Sequence, residues 1–213
     1  MKNNTLIIFF IGYLALPFFL TGCFNFNKSF PEKRFFVLNA KRNAGPSVSK
    51  SNAVLRIRRF RVSPGFEGNG FVYRKGNSNY TSDFYNEFFI SPASMIAEEV
   101  GKWLTASGLF QYVISSSSPV EPTVELEGVI RALYGDYSNT NAPKAVMEIQ
   151  FFLVRNVSSR PAIVFQKTYH EETLIKGNSP DTLVAGWNLA IEHILTQFET
   201  NLKDLDLIKG TTS

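Results

Sequence analysis

The segment Val124-Glu125-Leu126-Glu127-Gly128-Val129-Ile130-Arg131-Ala132-Leu133-Tyr134 sets Val124, Leu126, Gly128, Ile130 and Ala132 on one face and Glu125, Glu127 and Arg131 on the other. A period of two with apolar and charged faces is the pattern of a half-buried strand. Two segments of similar length follow, Ala145 to Val154 and Ala162 to Thr173. Their connections, Gly135 to Lys144 and Arg155 to Pro161, are short enough for antiparallel neighbours. A meander is expected.

Working upstream, Phe110 to Ser115 reads as a short strand preceded by a well-marked helix. Ser91 can cap it, Pro92 fits the first helical position because its missing N–H is not needed there, and Gly108 suits a left-handed stop. Ile96, Val100, Trp103, Leu104 and Ser107 share one face at the helical period, and Glu98, Glu99 and Lys102 are expected in water. If the strands flanking this helix were parallel in one sheet, their crossover would be right-handed. A second helix begins at Ser179-Pro180-Asp181, with an acidic residue at its positive end. Leu183, Trp187, Ala190, Ile191, Ile194, Phe198 and Leu202 form its apolar stripe, expected against the same sheet.

Towards the N-terminus, Arg34 to Leu38 reads as a strand and Lys41 to Asn52 as a loop. Ala53 to Val62 is a second strand whose alternation slips at Arg59-Phe60, the mark of a bulge or of burial ending. Phe71 to Arg74 is a third, and the aromatic run Asp83 to Phe89 stands just before the first helix. The expected fold is α/β of the α+β kind, a mixed and largely antiparallel sheet with two principal helices packed on it.

The 213-residue chain carries a net charge of +4, two histidines and one cysteine. With a single thiol there is no disulfide framework and no thiolate metal site to expect, and His170 and His193 are too isolated for a convincing metal or catalytic constellation. Neither the charge nor its scatter suggests a nucleic-acid footprint. No Gly-x-Ser-x-Gly or phosphate-loop pattern occurs. The expectation is therefore no enzymatic activity, no catalytic residue, no metal and no cofactor.

The N-terminus carries a different kind of information. Lys2 is followed by an apolar run that ends in Leu20-Thr21-Gly22-Cys23. This is the anatomy of a signal peptide. The tetrapeptide resembles the bacterial lipobox, Leu-[Ala/Ser/Thr]-[Gly/Ala]-Cys, which implies cleavage between Gly22 and Cys23 and a diacylglycerol and N-acyl chain on Cys23. An uncleaved transmembrane anchor competes with this reading, but the run is short of the roughly 20 residues a spanning helix needs and Pro17 interrupts it. An ordinary secretory site of the Ala-x-Ala kind does not occur. The expected organisation is residues 1–22 as signal peptide, 23–33 as lipidated tether, 34–206 as one domain and 207–213 as a frayed tail. By analogy with Gram-negative lipoproteins, Phe24 in place of an aspartate implies the outer rather than the inner membrane, on the periplasmic side.

The lipobox, the Pro64-Gly65-Phe66 turn running into Phe71-Val72-Tyr73-Arg74, the Phe84-Tyr85 pair ahead of Ser91-Pro92, and the helix end from Leu104 to Phe110 together resemble the ABC-type transport auxiliary lipoprotein component family. The likeness covers roughly Phe35 to Phe198. It implies a non-ATPase subunit that docks a mammalian-cell-entry (MCE) domain substrate-binding protein at a membrane during lipid transport between membranes, with homo-oligomers possible. Where family members often carry a tryptophan before the helix, this chain has Phe88 and Phe89.

Two surfaces are candidates for contact. Tyr73, Arg74, Tyr80, Phe84 and Tyr85 either fill the core beneath the first helix or anchor a partner, with Tyr80 expected exposed in a polar loop. Arg56, Arg58, Arg59 and Arg61 either line a solvated strand or touch an anionic surface. The rival to docking is a carrier that holds an apolar ligand between sheet and helices. A lipoprotein of outer-membrane assembly unrelated to transport is a third reading. Cys23→Ser should leave the fold intact and move the protein out of the membrane fraction; a variant that stayed with the membranes would refute the lipobox reading.

Overall fold

The computed structural model describes residues 31–45, 51–157 and 160–205. Gly22, Cys23, most of the tether and the tail lie outside the described residues. The order of elements is β1 (Arg34–Phe36), β2 (Val54–Ile57), β3 (Arg61–Val62), β4 (Gly70–Arg74), β5 (Tyr80–Phe88), α1 (Pro92–Ser107), β6 (Tyr112–Ile114), β7 (Val124–Asp136), β8 (Lys144–Val157), β9 (Arg160–Leu174) and α2 (Pro180–Lys203). A 3₁₀ turn at Pro64–Phe66 separates β3 from β4.

The three long strands form the expected meander, β7 antiparallel to β8 and β8 to β9. The other edge of β7 is taken by three short parallel strands in relay: β2 against Val124–Leu126, β3 against Val129 and Ile130, β4 against Gly135 and Asp136. Beyond them β6 joins β2, β5 joins β4, and β1 joins β5. This is a mixed sheet of nine strands among the described residues, with both helices packed on it.

Local chemistry decides the helix ends as the sequence indicates. The Ser91 hydroxyl accepts from Ser94 N–H, Pro92 opens α1, and Gly108 takes φ 67° to stop it. Ser179 caps α2 in the same way through Thr182 N–H. The expected stripes face inward: Ile96, Val100, Trp103, Leu104 and Ser107 on α1 and all seven apolar residues on α2 are buried. They meet a strand face made by Leu126 and Ile130 on β7 and Ala145, Met147, Ile149, Phe151 and Leu153 on β8, every one fully buried. Phe198 stacks on Phe151 with centroids 4.3 Å apart, and Phe71 meets the edge of Trp187 at 5.0 Å. Each such side chain contributes about 1.5–3 kcal/mol on leaving water.

Several expectations need correction. Glu99 is buried, not solvated, because its carboxylate accepts from Ala40 N–H at 2.8 Å and from Lys102 at 3.0 Å. Ala132 does not share the inward face: the β7–β8 register shifts between Ile130 and Ala132, so the inward row continues through Leu133 instead. The aromatic run before α1 is a strand, β5, that begins at Tyr80. It neither pairs with nor runs parallel to β6, so the handedness rule has nothing to act on. The slip at Arg59-Phe60 is the step from β2 to β3, where Phe60 turns inward over Gly128. A Cβ at Gly128 would lie 2.5 Å from that ring, so only glycine fits there.

The segment after β1 is a strap fastened by both helices. Asn39 N–H donates to Asn188, Ala40 N–H to Glu99 and Lys41 N–H to Glu192. Arg42 then reaches into a buried pair with Glu199 at 2.9 and 3.0 Å, and Trp103 Nε1 donates to the same carboxylate at 2.9 Å. Burial works against the Glu199 charge, but the bonds from Arg42 and Lys203 outweigh it and bring its pKa down to about 2.

A carboxylate whose folded pKa lies below its unfolded value stabilises the fold above the unfolded pKa and loses that contribution as pH falls through the folded one. Stability should therefore decline between the ordinary carboxylate range and pH of about 2. Glu199→Gln should flatten part of that decline and cost about 3–5 kcal/mol at neutral pH, since it strands the Arg42 charge. Urea unfolding across pH measures both; an unchanged acid limb would refute the assignment.

Candidate functional site

Two steps along β4, from Gly70 to Val72, are matched by five along β5, from Glu87 to Ser82. The surplus bows out of the ladder around Asp83–Asn86 and carries Phe84 and Tyr85 with it. Asp83 holds the bow in shape. Its carboxylate accepts from Tyr85 N–H at 2.8 Å, Asn86 N–H at 3.1 Å, Asn86 Nδ2 at 2.8 Å and the Tyr73 hydroxyl at 2.7 Å. Burial opposes the charge, but these donors prevail and keep the Asp83 carboxyl below its ordinary range. Burial and the same bond hold the Tyr73 hydroxyl protonated far above the usual phenol range. Gly70 lets the bow rest on bare backbone, because any Cβ there would collide with the Asp83 carbonyl.

The five residues expected to meet a partner thus divide. Tyr73 packs against the core edge-on to Tyr137 at 5.7 Å and serves the bow from behind. Arg74 is tied to Asp136 through Nε at 3.1 Å and a second bond from Nη2, with its guanidinium over the Tyr134 ring at 5.3 Å. That pairing holds the Asp136 carboxyl well below the ordinary range. Tyr80 meets Tyr134 edge-on at 5.5 Å, and Phe66 from the 3₁₀ turn stacks on Tyr134 at 5.9 Å. Tyr80, Phe84 and Tyr85 remain exposed. Tyr80 is exposed as expected, but from a strand rather than a loop.

Sequence reasoning missed the part of this surface that β1 contributes. Phe35, Val37, Phe84 and Phe89 are 55, 57, 66 and 67% exposed, and Phe35 meets Phe89 edge-on at 6.1 Å. Lys33 lies 4.3 Å over the Phe84 ring and pairs with Glu87 at 2.8 Å. Strand alternation explains the placement: Arg34 and Phe36 turn towards Asp181 and Phe71 on the helix side, so Lys33, Phe35 and Val37 take the opposite face. The doublet Phe35-Phe36 was the available signal, since a strand cannot turn both rings inward.

Half of the arginine cluster is neutralised. Arg56 pairs with Glu125 at 3.2 Å, and Arg58 with Glu127 at 2.8 Å and Glu125 at 3.6 Å. Arg59 and Arg61 are exposed and make no salt bridge among the described residues. Arg58 and Arg59 border an open groove of about 780 Å³ between α1 and the β2–β6 edge. Ile57, Phe60, Ala97, Gly101 and Val113 give it apolar walls, with Lys102 and Glu98 on the helix side. His170 sits between Glu148 and Glu172 on the solvated face of β9, and His193 lies on α2 at 3.5 Å from Glu171. No group of three or more His, Cys, Asp or Glu among the described residues is arranged to hold a metal ion.

No protein-family model matches the chain, and no curated protein matches it. Solved structures do. A protein from Xanthomonas campestris described under family DUF330 superposes with a TM-score of 0.66 and 13% identity, covering 78% of this chain and 92% of that one. A second, described as an uncharacterized protein, gives a TM-score of 0.62 and 15% identity over 80% of this chain and 99% of that one. The chain shares the fold of these proteins along nearly their whole length.

Removing the Asp83 carboxylate leaves two backbone amides, the Asn86 side-chain amide and a phenol without their acceptor. Asp83→Ala should cost about 1–3 kcal/mol and speed hydrogen exchange at Tyr85 and Asn86 before the rest of the sheet. Exchange at those amides matching the parent protein would show that the bow is held by something else.

Proposed function

We propose that this chain is a lipid-anchored auxiliary subunit, without enzymatic activity, that docks an MCE-domain substrate-binding protein of an ABC-type system for lipid transport between membranes. The anchor is the diacylglycerol and N-acyl chain on Cys23, placing the domain at the periplasmic face, with Phe24 favouring the outer membrane. The resemblance of Phe35 to Phe198 to transport auxiliary lipoproteins supports the role. The observation that carries the docking step is the surface prepared for it: Tyr80 and Tyr85 exposed on β5, one on a packed Phe66–Tyr134–Arg74 cluster and the other on the bow held by Asp83. Exposed aromatics on a rigid support lose little entropy when they anchor a partner. Tethering adds to this by raising the local concentration of the domain at the membrane where the partner works.

The groove beside α1 supports a second reading, a carrier for a lipid or other apolar ligand. Its walls are apolar and its mouth carries Arg59. Gly101 offers a clean test, since only Ile57 lies near a Cβ built there, at 3.9 Å, leaving space for Gly101→Leu to fill the groove without disturbing the core.

Intact mass spectrometry of the acylated protein, taken from its own membranes in mild detergent, separates the two. Docking predicts an MCE-domain partner in the parent protein, lost with Tyr80→Ala and Tyr85→Ala together, and no non-covalent lipid. A partner-free chain carrying stoichiometric phospholipid, released by Gly101→Leu, would replace docking with the carrier.

A further inference from the structure

The solvated face of the sheet is not uniform. Across β7, β8 and β9 it carries a network of charge, with Ile163 and Leu174 as exposed apolar residues on β9: Arg131 pairs with Glu148 at 3.1 Å, His170 with Glu148 at 3.0 Å, and Lys144 with Glu172 at 2.6 Å. At the β1–β5 end this network gives way to Phe35, Val37, Phe84 and Phe89, continued by Ile90 at the entry to α1, all exposed. Lys33, paired with Glu87 at 2.8 Å, is the cation among them.

The position of this apolar end is as informative as its composition. It is the place where the chain from Cys23 enters the domain. Only nine residues, Phe24 to Glu32, lie between Cys23 and Lys33, so even fully extended the connection spans about 35 Å. Lys33, Phe35 and Val37 thus belong to the first described segment of the domain after Cys23. An exposed cluster of aromatic rings with a lysine at its rim suits the boundary between head groups and acyl chains, where aromatic bodies leave water and the ammonium stays in it.

We propose that Phe35, Val37, Phe84, Phe89 and Ile90 form a membrane-facing surface that lies in the interfacial layer of the bilayer holding the Cys23 anchor. The inference rests on the lipobox reading. It gives the anchored domain a fixed orientation: the β1–β5 end faces lipid, Tyr85 stands at its border with its ring 5.3 Å from Phe84, Tyr80 lies farther along β5, and the helices lie on the other side of the sheet. The anchor and the patch act together, since one holds the domain near the bilayer and the other sets which side touches it.

The test uses the full acylated protein reconstituted in vesicles of phosphatidylethanolamine and phosphatidylglycerol. Phe89→Trp places a fluorophore in the patch, Phe84→Trp is the second reporter, and Leu189→Trp puts one on the exposed side of α2, away from it. The native Trp103 and Trp187 are buried and set the background. The Phe89→Trp and Phe84→Trp emission should shift to the blue and be quenched by lipids brominated near the head-group end of the acyl chain, while the Leu189→Trp emission stays as in water. Chains that float with the vesicles yet show water-like, unquenched emission at both patch positions would overturn the membrane face alone, as would equal quenching at Leu189→Trp. Chains that do not float at all would overturn the anchor and this inference with it.

Discussion

The structure depends on both edges of β7 being hydrogen-bonded along their length. β8 satisfies one edge with a single long strand. The other is satisfied piecewise by β2, β3 and β4, each too short to persist unless a partner strand already stands beside it. Backbone bonds fill the gaps between the pieces: Arg58 N–H to Leu126 O at 2.9 Å and Ser63 N–H to Ile130 O at 2.9 Å. The relay works because the chain can step sideways at Phe60, whose ring covers Gly128 as it does so. β6, β5 and β1 are hung from that relay, and so is the aromatic end of the sheet.

What could be read from the sequence was what local chemistry controls. Ser91, Pro92 and Gly108 mark the ends of α1 because capping needs only neighbours along the chain, and the period-two pattern from Val124 to Ile130 exposes a face without reference to anything distant. The failures were long-range. Glu99 looked solvated because nothing near it announces that the strap will offer it Ala40 N–H, from 59 residues away. Ala132 was misplaced by a register shift that only the partner strand reveals. The candidate surface was half legible: Tyr80, Phe84 and Tyr85 stand out by composition, but Phe35, Val37 and Phe89 join them only through the β1–β5 pairing. Arg74 and Arg56 were read without their partners, since Asp136 and Glu125 bind them from positions remote in the chain.

The polar groups divide into two kinds by what they hold. Glu199, Asp136 and Asp83 each collect several donors and fix backbone or helices in place. Glu148, Glu172 and His170 sit on an open sheet face, where solvated pairs contribute little to stability and serve mainly to keep that face wet. The aromatic end differs from this charged stretch in its cluster of rings, although Ile163 and Leu174 on β9 are exposed as well.

The strap has a mechanical meaning as well. Any pull on the chain ahead of Lys33 enters the fold through β1, a strand of three residues held by one neighbour. Alone, that would be a weak seam. Arg34, however, grips Asp181 through two bonds at the first turn of α2, and the next residues are stitched in sequence to α1 and α2 through Asn188, Glu99, Glu192 and Glu199. Tension is passed from a frail edge to two long helices within nine residues of chain, Arg34 to Arg42. The domain is rigged like a sail whose sheet line is made fast to the mast rather than to the cloth.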